Sequence, residues 1–138
     1  MALCLAASGV QPVLADTITV DGTCTLVDAI TAANTNTTTG NCAHSGASGA
    51  DIIVVLTADT TLTTSNNSTY GPTGLPVVSS KITISGNGHT ITRDALAPAF
   101  RLLAINSNGD LTVQDTMLSG ASHLSPAGLF GITLGSSG

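Results

Sequence analysis

The stretch Cys24-Thr-Leu-Val-Asp-Ala-Ile-Thr-Ala-Ala-Asn34 is the one part of the chain whose pattern is helical rather than extended. Thr25 followed by Asp28 has the spacing of a capping box, in which a hydroxyl and a carboxylate bond the N–H groups at a helix start. Three apolar residues then recur at helical spacing and form one face, namely Leu26, Ile30 and Ala33. We predict a helix that begins after the cap and ends at Asn34.

A second cysteine, Cys42, follows this stretch and makes a disulfide with Cys24 possible. The third cysteine, Cys4, lies in an N-terminal segment that resembles a signal peptide, so an even pair remains without it. Closing a loop of this length would stabilise the fold by roughly 3 kcal/mol. We predict the Cys24–Cys42 disulfide, with two free buried thiols as the alternative. Two cysteines and His44 are too few ligands for a metal site and lack CxxC spacing, so we expect no metal.

The composition of the chain excludes several kinds of partner. Only 8% of the 138 residues are charged and 2% are aromatic, and the net charge is −5. The fixed cations are Lys81, Arg93 and Arg101, which cannot form the basic patch that nucleic acids require. Surface polarity must come from Thr, Ser, Asn and Gly, which suits an extracellular β surface. We expect no nucleic-acid partner and no affinity for anionic membranes.

Residues 1–15 have the character of a partial signal peptide. Residues 2–15 are small and apolar, and Val13 and Ala15 fit the −3 and −1 positions of a cleavage site before Asp16. The usual positive n-region is missing, and the alternative is a buried first strand or helix. The segment is shorter than the ~20 apolar residues that span a membrane, and no later run reaches that length. We expect an exported protein, secreted or at the cell surface, without a membrane-spanning segment.

The remaining chain has the pattern of short strands separated by glycine-containing turns. Residues 82–91 and 111–118 repeat an apolar–Thr–apolar strand, a polar corner and a second short strand. Further strands are predicted at residues 16–22, 51–56, 60–64, 100–105 and 131–134. This periodicity, the scarcity of charge and aromatics, and the helical start favour an all-β fold, a parallel β-helix of stacked coils. A β-sandwich, which also has many short strands, is the alternative.

The helical stretch also resembles the CSLREA motif at the N-terminus of secreted bacterial right-handed β-helix proteins, and it is similar to the entry region of proteins related to polymorphic outer membrane proteins. The matching residues are Cys24, Thr25, Leu26, Asp28, Ala29, Ile30, Ala33 and Asn34. Val27 stands where those families have a basic residue, so an ion pair from that position is absent. The resemblance covers residues 16–134. It implies a right-handed solenoid with a short N-terminal capping helix and an exported location, and it implies no catalytic residues.

An enzyme must be considered because β-helix proteins include polysaccharide lyases and hydrolases, whose sites combine carboxylates with a basic residue. The candidate carboxylates are dispersed next to turn residues, where Asp usually bonds the backbone: Asp51, Asp59, Asp94, Asp110 and Asp115. Of these, only the last three lie near basic residues, Arg93 and Arg101. The histidines lack metal-binding spacing and are predicted in surface loops: His44, His89 and His123. We expect no catalytic residue and no cofactor.

The sequence therefore predicts three segments. They are a signal peptide at residues 1–15, an N-terminal cap with helix and disulfide loop at residues 16–50, and the first coils of the β-helix at residues 51–138, on which further coils of the same chain would stack. The predicted function is a non-catalytic surface scaffold or adhesin-like module that presents polar faces to a glycan or a surface protein. The alternative is the N-terminal part of a secreted carbohydrate-active enzyme whose active coils lie beyond residue 138.

Overall fold

A computed structural model describes residues 16–44, 52–120 and 132–135 of the chain. These residues form one α-helix, α1 (Leu26–Thr35), and eight strands. The strands are β1 (Asp16–Val20), β2 (Ile52–Leu56), β3 (Thr60–Leu62), β4 (Lys81–Ser85), β5 (Thr90–Arg93), β6 (Asp110–Gln114), β7 (Met117–Ser119) and β8 (Ile132–Gly135).

The strands form two sheets in which neighbouring strands are parallel. The larger sheet has the order β1-β2-β4-β6-β8, and the smaller has the order β3-β5-β7. The register places one buried apolar row across the larger sheet, formed by Ile18, Val54, Ile84 and Val113. Because a slip of one residue would turn these side chains outward, burial specifies the register.

Helix α1 begins and ends at residues that satisfy its free backbone groups. Thr25 is the N-cap, and its Oγ1 accepts a hydrogen bond from the Asp28 N–H at 3.1 Å. At the other end Asn36 adopts a left-handed conformation with φ 57°, and its N–H bonds the carbonyl oxygen of Ala32. Asparagine tolerates this conformation better than most residues. The helix therefore continues through Thr35, one residue beyond the predicted end.

The same helix connects two adjacent strands of the larger sheet. Parallel strands cannot be joined by a tight turn and need a crossover, which is usually helical. The buried residues of α1 are Leu26, Ala29, Ile30, Ala32 and Ala33, and the helix packs on β1, β2 and β4. Burial of a side chain such as Ile30, which is 0% exposed, stabilises the fold by about 2 kcal/mol.

The prediction of an all-β, right-handed parallel β-helix is wrong. The described residues contain a ten-residue helix and two small parallel sheets, which is an α/β-type topology. The predicted capping helix is the crossover of a β1–α1–β2 unit. The misleading signal was the apolar–Thr–apolar pattern, because it requires only a parallel strand with one buried face and does not specify how the strands are connected.

Two irregular segments, residues 66–80 and 100–106, close the remaining side of the core. The predicted strand at residues 100–105 is wrong, because this segment forms only isolated bridges, Arg101 with Thr73 and Ile105 with Val78. Backbone hydrogen bonds hold the two segments side by side, among them Val78 N to the Ala104 oxygen at 2.9 Å. Their buried apolar side chains are Leu75, Val78, Phe100, Leu102, Leu103, Ala104 and Ile105.

Asn34 ties the helix to the first of these segments. Its Nδ2 donates to the Val77 oxygen at 2.8 Å, and its Oδ1 accepts from Ser79 N at 2.9 Å and from Ser80 Oγ at 3.3 Å. A single side chain thus bonds a segment more than forty residues away, through two backbone groups and the Ser80 hydroxyl, with sequence separations of 43 to 46. Asn34 therefore connects the end of α1 to the irregular segment that precedes β4.

Several predictions concern residues outside the described part of the chain. They are the signal peptide at residues 1–15 with Cys4, the segment boundary between residues 50 and 51, Asp51 and His123. Over residues 16–44, 52–120 and 132–135, the structure contains no helix with the length and apolar character needed to cross a membrane.

Candidate functional site

The five-stranded sheet turns one face to the core and the other outward. Burial alternates along β1, β2, β4 and β6, so every second residue points away from the core. The aligned register places these outward residues in two rows across the sheet. One row is Thr17, Ile53, Thr83 and Thr112, and the other is Thr19, Val55, Ser85 and Gln114. These two rows form the outward face of the sheet.

The outward face carries hydroxyl, amide and aliphatic groups and no charged side chain in either row. Neighbouring strands of a sheet are about 4.8 Å apart, so the side chains in a row repeat at that interval. Charged residues lie beside the rows, where Lys81 and Asp110 begin β4 and β6, pair in register and are exposed. The two rows can therefore donate and accept many hydrogen bonds, but they hold no acid–base group.

A groove of about 360 Å³ lies beside the edge strand β3. It is lined by residues 20–22, 25–27 and 57–62. These come from the end of β1 and the turn after it, the start of α1, the connection between β2 and β3, and β3 itself. Two carboxylates, Asp21 and Asp59, belong to this lining and are exposed. Whether either carboxylate can act as an acid or a base depends on its hydrogen-bond partners.

Asp21 organises the turn that leads into the helix. One of its carboxylate oxygens, Oδ1, accepts hydrogen bonds from Thr23 N at 2.7 Å and from Cys24 N at 2.9 Å. These bonds favour the charged form, and the bond from Cys24 N contributes most to lowering the pKa of Asp21. A carboxylate that is held charged by backbone N–H groups is a weak base, so Asp21 is suited to positioning Cys24.

Asp59 has an equivalent role at the next connection. Its Oδ1 accepts a hydrogen bond from Thr90 N at 2.9 Å and lies 3.3 Å from His89 Nδ1. The bond from Thr90 N is the main cause of the lowered pKa of Asp59. Asp59 thus fastens the start of β5 to the end of the β2–β3 connection. Both carboxylates of the groove are engaged with the backbone.

The two cysteines predicted to pair lie together. The Cα atoms of Cys24 and Cys42 are 4.7 Å apart, the sulfur atoms are at disulfide-bonding distance, and both residues are buried. The pairing places the loop after α1 against the turn before it. The described residues from Asp21 to His44 therefore form a closed unit around the helix.

The backbone and the side chain of Asp28, which was predicted as a helix cap with Thr25, have different contacts. Its backbone N–H donates a hydrogen bond to Thr25 Oγ1, whereas its carboxylate lies against Gly40. A Cβ atom at Gly40 would come within 2.7 Å of Asp28 Oδ2, and Gly40 has φ 58°, a conformation that favours glycine. Asp28 therefore limits which residues can occupy position 40 of the Cys42 loop, residues 37–44.

Two of the residues considered for an enzyme, Arg93 and Asp94, bond the backbone near them. Arg93 donates to the carbonyl oxygens of Ala97 and Gly120, each at 2.7 Å, and Asp94 Oδ1 accepts from Leu96 N at 2.8 Å. The other three occupy separate places: Asp110 begins β6, Asp115 follows that strand with φ 54°, and the Arg101 guanidinium lies against Gly71. Arg93 and Asp94 thus hold the backbone of the connection that follows β5.

His44 lies in a different environment from the predicted surface loop. Its side chain is only 2% exposed, with Nδ1 bonded to Asp16 Oδ2 and Nε2 bonded to Asn36 Oδ1. The prediction for His89 is confirmed, since it lies in the β4–β5 corner with a side chain 33% exposed. The burial of His44 was missed because Asp16 is 28 residues away and no local pattern marks the contact.

Within the described residues, His, Cys, Asp and Glu form no group of three or more that could hold a metal ion. No protein-family model matches the chain. No curated protein or solved structure matches it either. The resemblance of residues 24–34 to the CSLREA motif stays a prediction.

Proposed function

We propose that this chain is a non-catalytic, exported binding scaffold that presents its outward face to a glycan. The observation that supports this proposal is the pair of uncharged rows across the five-stranded sheet. Hydroxyl-bearing side chains such as Thr17 and Thr112 recur along a row, and polysaccharides likewise carry hydroxyl groups at a regular repeat. A rigid sheet loses little conformational entropy when it binds such a ligand.

The chemistry of the rows favours a glycan over a protein partner. Protein interfaces concentrate their binding energy in Trp, Tyr, Met and Arg side chains. The rows contain none of these residue types, and their apolar members are Ile53 and Val55. Hydrogen bonding by threonine, serine and glutamine is therefore the main means of recognition on this surface.

Export is part of the same proposal. Cys24 and Cys42 are at disulfide-bonding distance, and structural disulfides persist in oxidising compartments such as the periplasm and the cell exterior. The low charge of the chain and the small apolar residues at positions 2–15 support the same location.

The proposal can be tested with a panel of soluble and insoluble polysaccharides and the full chain. Thr17→Val and Thr112→Val each remove one hydroxyl from the outward face but keep a β-branched side chain that suits a strand. One lost hydrogen bond of about 0.5–1.5 kcal/mol weakens binding roughly two- to tenfold, and the double variant should lose more.

The matched control is Thr61→Val, which makes the same chemical change at an exposed position of β3, outside the two rows. It should bind as the unmodified chain does. The proposal would be contradicted if the unmodified chain bound none of the polysaccharides. It would also be contradicted if Thr61→Val weakened binding as much as the outward-face variants do. If the outward face instead bound a protein selectively, the ligand would be a protein rather than a glycan.

A further inference from the structure

A buried imidazole joins three separate segments of the chain. His44 lies two residues after Cys42, and its side chain is 2% exposed. The ring bonds Asp16, the first residue of β1, through Nδ1, and Asn36, the C-cap of α1, through Nε2. The ring is therefore a connection between the sheet, the helix and the Cys42 loop.

The two acceptors beside the His44 ring determine how many N–H donors the ring must have to form both hydrogen bonds. The Asp16 carboxylate and the Asn36 amide oxygen both accept hydrogen bonds and have no proton to donate. A neutral imidazole carries a single N–H, so one of its nitrogens would face an acceptor with a lone pair. An imidazolium has a donor at each nitrogen and satisfies both contacts, with a charge-assisted bond to Asp16.

We propose that His44 is a proton-dependent lock on the Cys42 loop. With two ring protons, His44 fastens the loop to both β1 and the end of α1. When the ring loses one proton, the bond to Asn36 or the bond to Asp16 is lost, and the loop detaches from that segment. This inference is independent of the proposed glycan binding.

The surroundings of the ring limit which groups can operate the lock. Asp16 contributes the negative charge from β1, and Asn36 contributes a neutral amide from α1. In the loop itself, Thr38 Oγ1 accepts from His44 N at 3.3 Å and holds the backbone but not the ring. Asp16 is thus the charged group bonded to the ring in the described part of the chain.

The neighbouring cysteine pair restricts how far the loop can move. Cys42 is held next to Cys24 at disulfide-bonding distance, two residues before His44. A loop tethered at this point can open around residues 37–44 while the sheet and helix stay folded. The lock therefore predicts a local opening rather than a loss of the whole fold.

The test uses the oxidised, full chain labelled with ¹⁵N. Long-range ¹H–¹⁵N spectra of His44 are followed from pH 5 to pH 9, and amide exchange at residues 37–44 is measured over the same range and corrected for intrinsic rates. We expect both ring nitrogens to be protonated while the loop is protected. Loss of one ring proton should raise the corrected exchange rates about tenfold, as expected for one charge-assisted hydrogen bond.

Two variants separate this lock from a general effect of pH. His44→Gln should remove the pH dependence of exchange at residues 37–44. His89→Gln, at the exposed histidine–aspartate pair, should leave that dependence unchanged. If His44→Gln does not fold, the titration of the unmodified chain decides the question alone.

Either of two results would overturn the proposal. One is an unprotonated Nε2 while the loop is protected, since this would mean that the Asn36 amide is turned around and donates to a neutral ring. The other is corrected exchange at residues 37–44 that stays constant from pH 5 to pH 9.

Discussion

Two histidine–aspartate pairs in this molecule differ in burial but hardly in sequence separation. His44 and Asp16 are 28 residues apart with side chains 2% and 12% exposed, whereas His89 and Asp59 are 30 residues apart with side chains 33% and 69% exposed. Chain closure costs nearly the same entropy in both cases. Water screens the exposed pair, so that pair contributes little to stability, while a buried ring must have partners for both nitrogens.

The difference reflects what surrounds each pair. The helix unit, residues 16–44, brings together α1, the Cys24–Cys42 contact and the His44 ring. The strand corner, residues 57–62 and 86–93, holds His89 beside Asp59, whose main partner is the backbone of Thr90. The Cys24–Cys42 pair and the His44 ring of the helix unit are shielded from water. Changes there should therefore have larger effects than similar changes at the corner.

The largest effect is expected from breaking the cysteine pair of the helix unit. Reduction should lower the free energy of unfolding by about 3 kcal/mol, because the unfolded chain gains the freedom of an open loop between residues 18 apart. Urea unfolding with and without reductant measures the difference. The control is the double variant Cys24→Ala/Cys42→Ala, which should not respond to reductant. An unchanged midpoint for the unmodified chain would show that the thiols are not bonded.

A smaller effect is expected from Asn34→Ala at the end of the helix unit. This change leaves the Val77 oxygen and the Ser79 N–H without their side-chain partner, at a cost of about 1–3 kcal/mol. The matched control is Asn108→Ala, at an exposed position in the turn before β6, which should change stability by less than about 0.5 kcal/mol. Equal urea midpoints for the two variants would contradict the bridging role of Asn34.

The smallest effect is expected at the strand corner and depends on pH. Because the pKa of Asp59 is lowered below its ordinary value of 3.8, chiefly by Thr90 N, its charged form stabilises the fold above that pH. This contribution is lost as the pH falls through the lowered pKa. Asp59→Asn should therefore show a shallower fall in Tm between pH 5 and pH 2.5 than the unmodified chain. Asp21, which also has a lowered pKa, retains its own acid dependence in both proteins and serves as the internal reference. Identical slopes for the two proteins would refute the contribution of Asp59.

Local features of the fold could be predicted from the sequence because they depend on neighbouring residues. The helix over residues 26–35 follows from the Thr25 cap and the apolar spacing, and β4 and β6 follow from the alternation in Lys81–Ser85 and Asp110–Gln114. The fold class could not be predicted in the same way. The strand pattern is the same whether successive strands are linked by a helix or by corners, and the crossover role of α1 depends on its packing against β1, β2 and β4.

The candidate surface could be predicted only in part. A polar face rich in threonine and serine was expected from composition, but the two rows depend on the register between strands some thirty residues apart, such as Thr83 with Thr112. Phe100 and Leu102 suggested a strand because they are apolar, yet their segment is irregular, is buried against the core and forms only isolated bridges. His44 lies in a polar loop, and only the closing of that loop onto Asp16 buries it.

The order of strands in the larger sheet determines how the chain would respond to a pulling force. β1 and β8 lie at opposite edges of the sheet, so tension applied through them would load the strand pairs one after another. Each pair that separates would release between 21 and 36 residues, the sequence separations of the register partners, or roughly 70–130 Å of chain. The connection from β1 to β2 contains Cys24 and Cys42. While these are bonded, the extension released there would be shorter, and a reductant would lengthen that step alone.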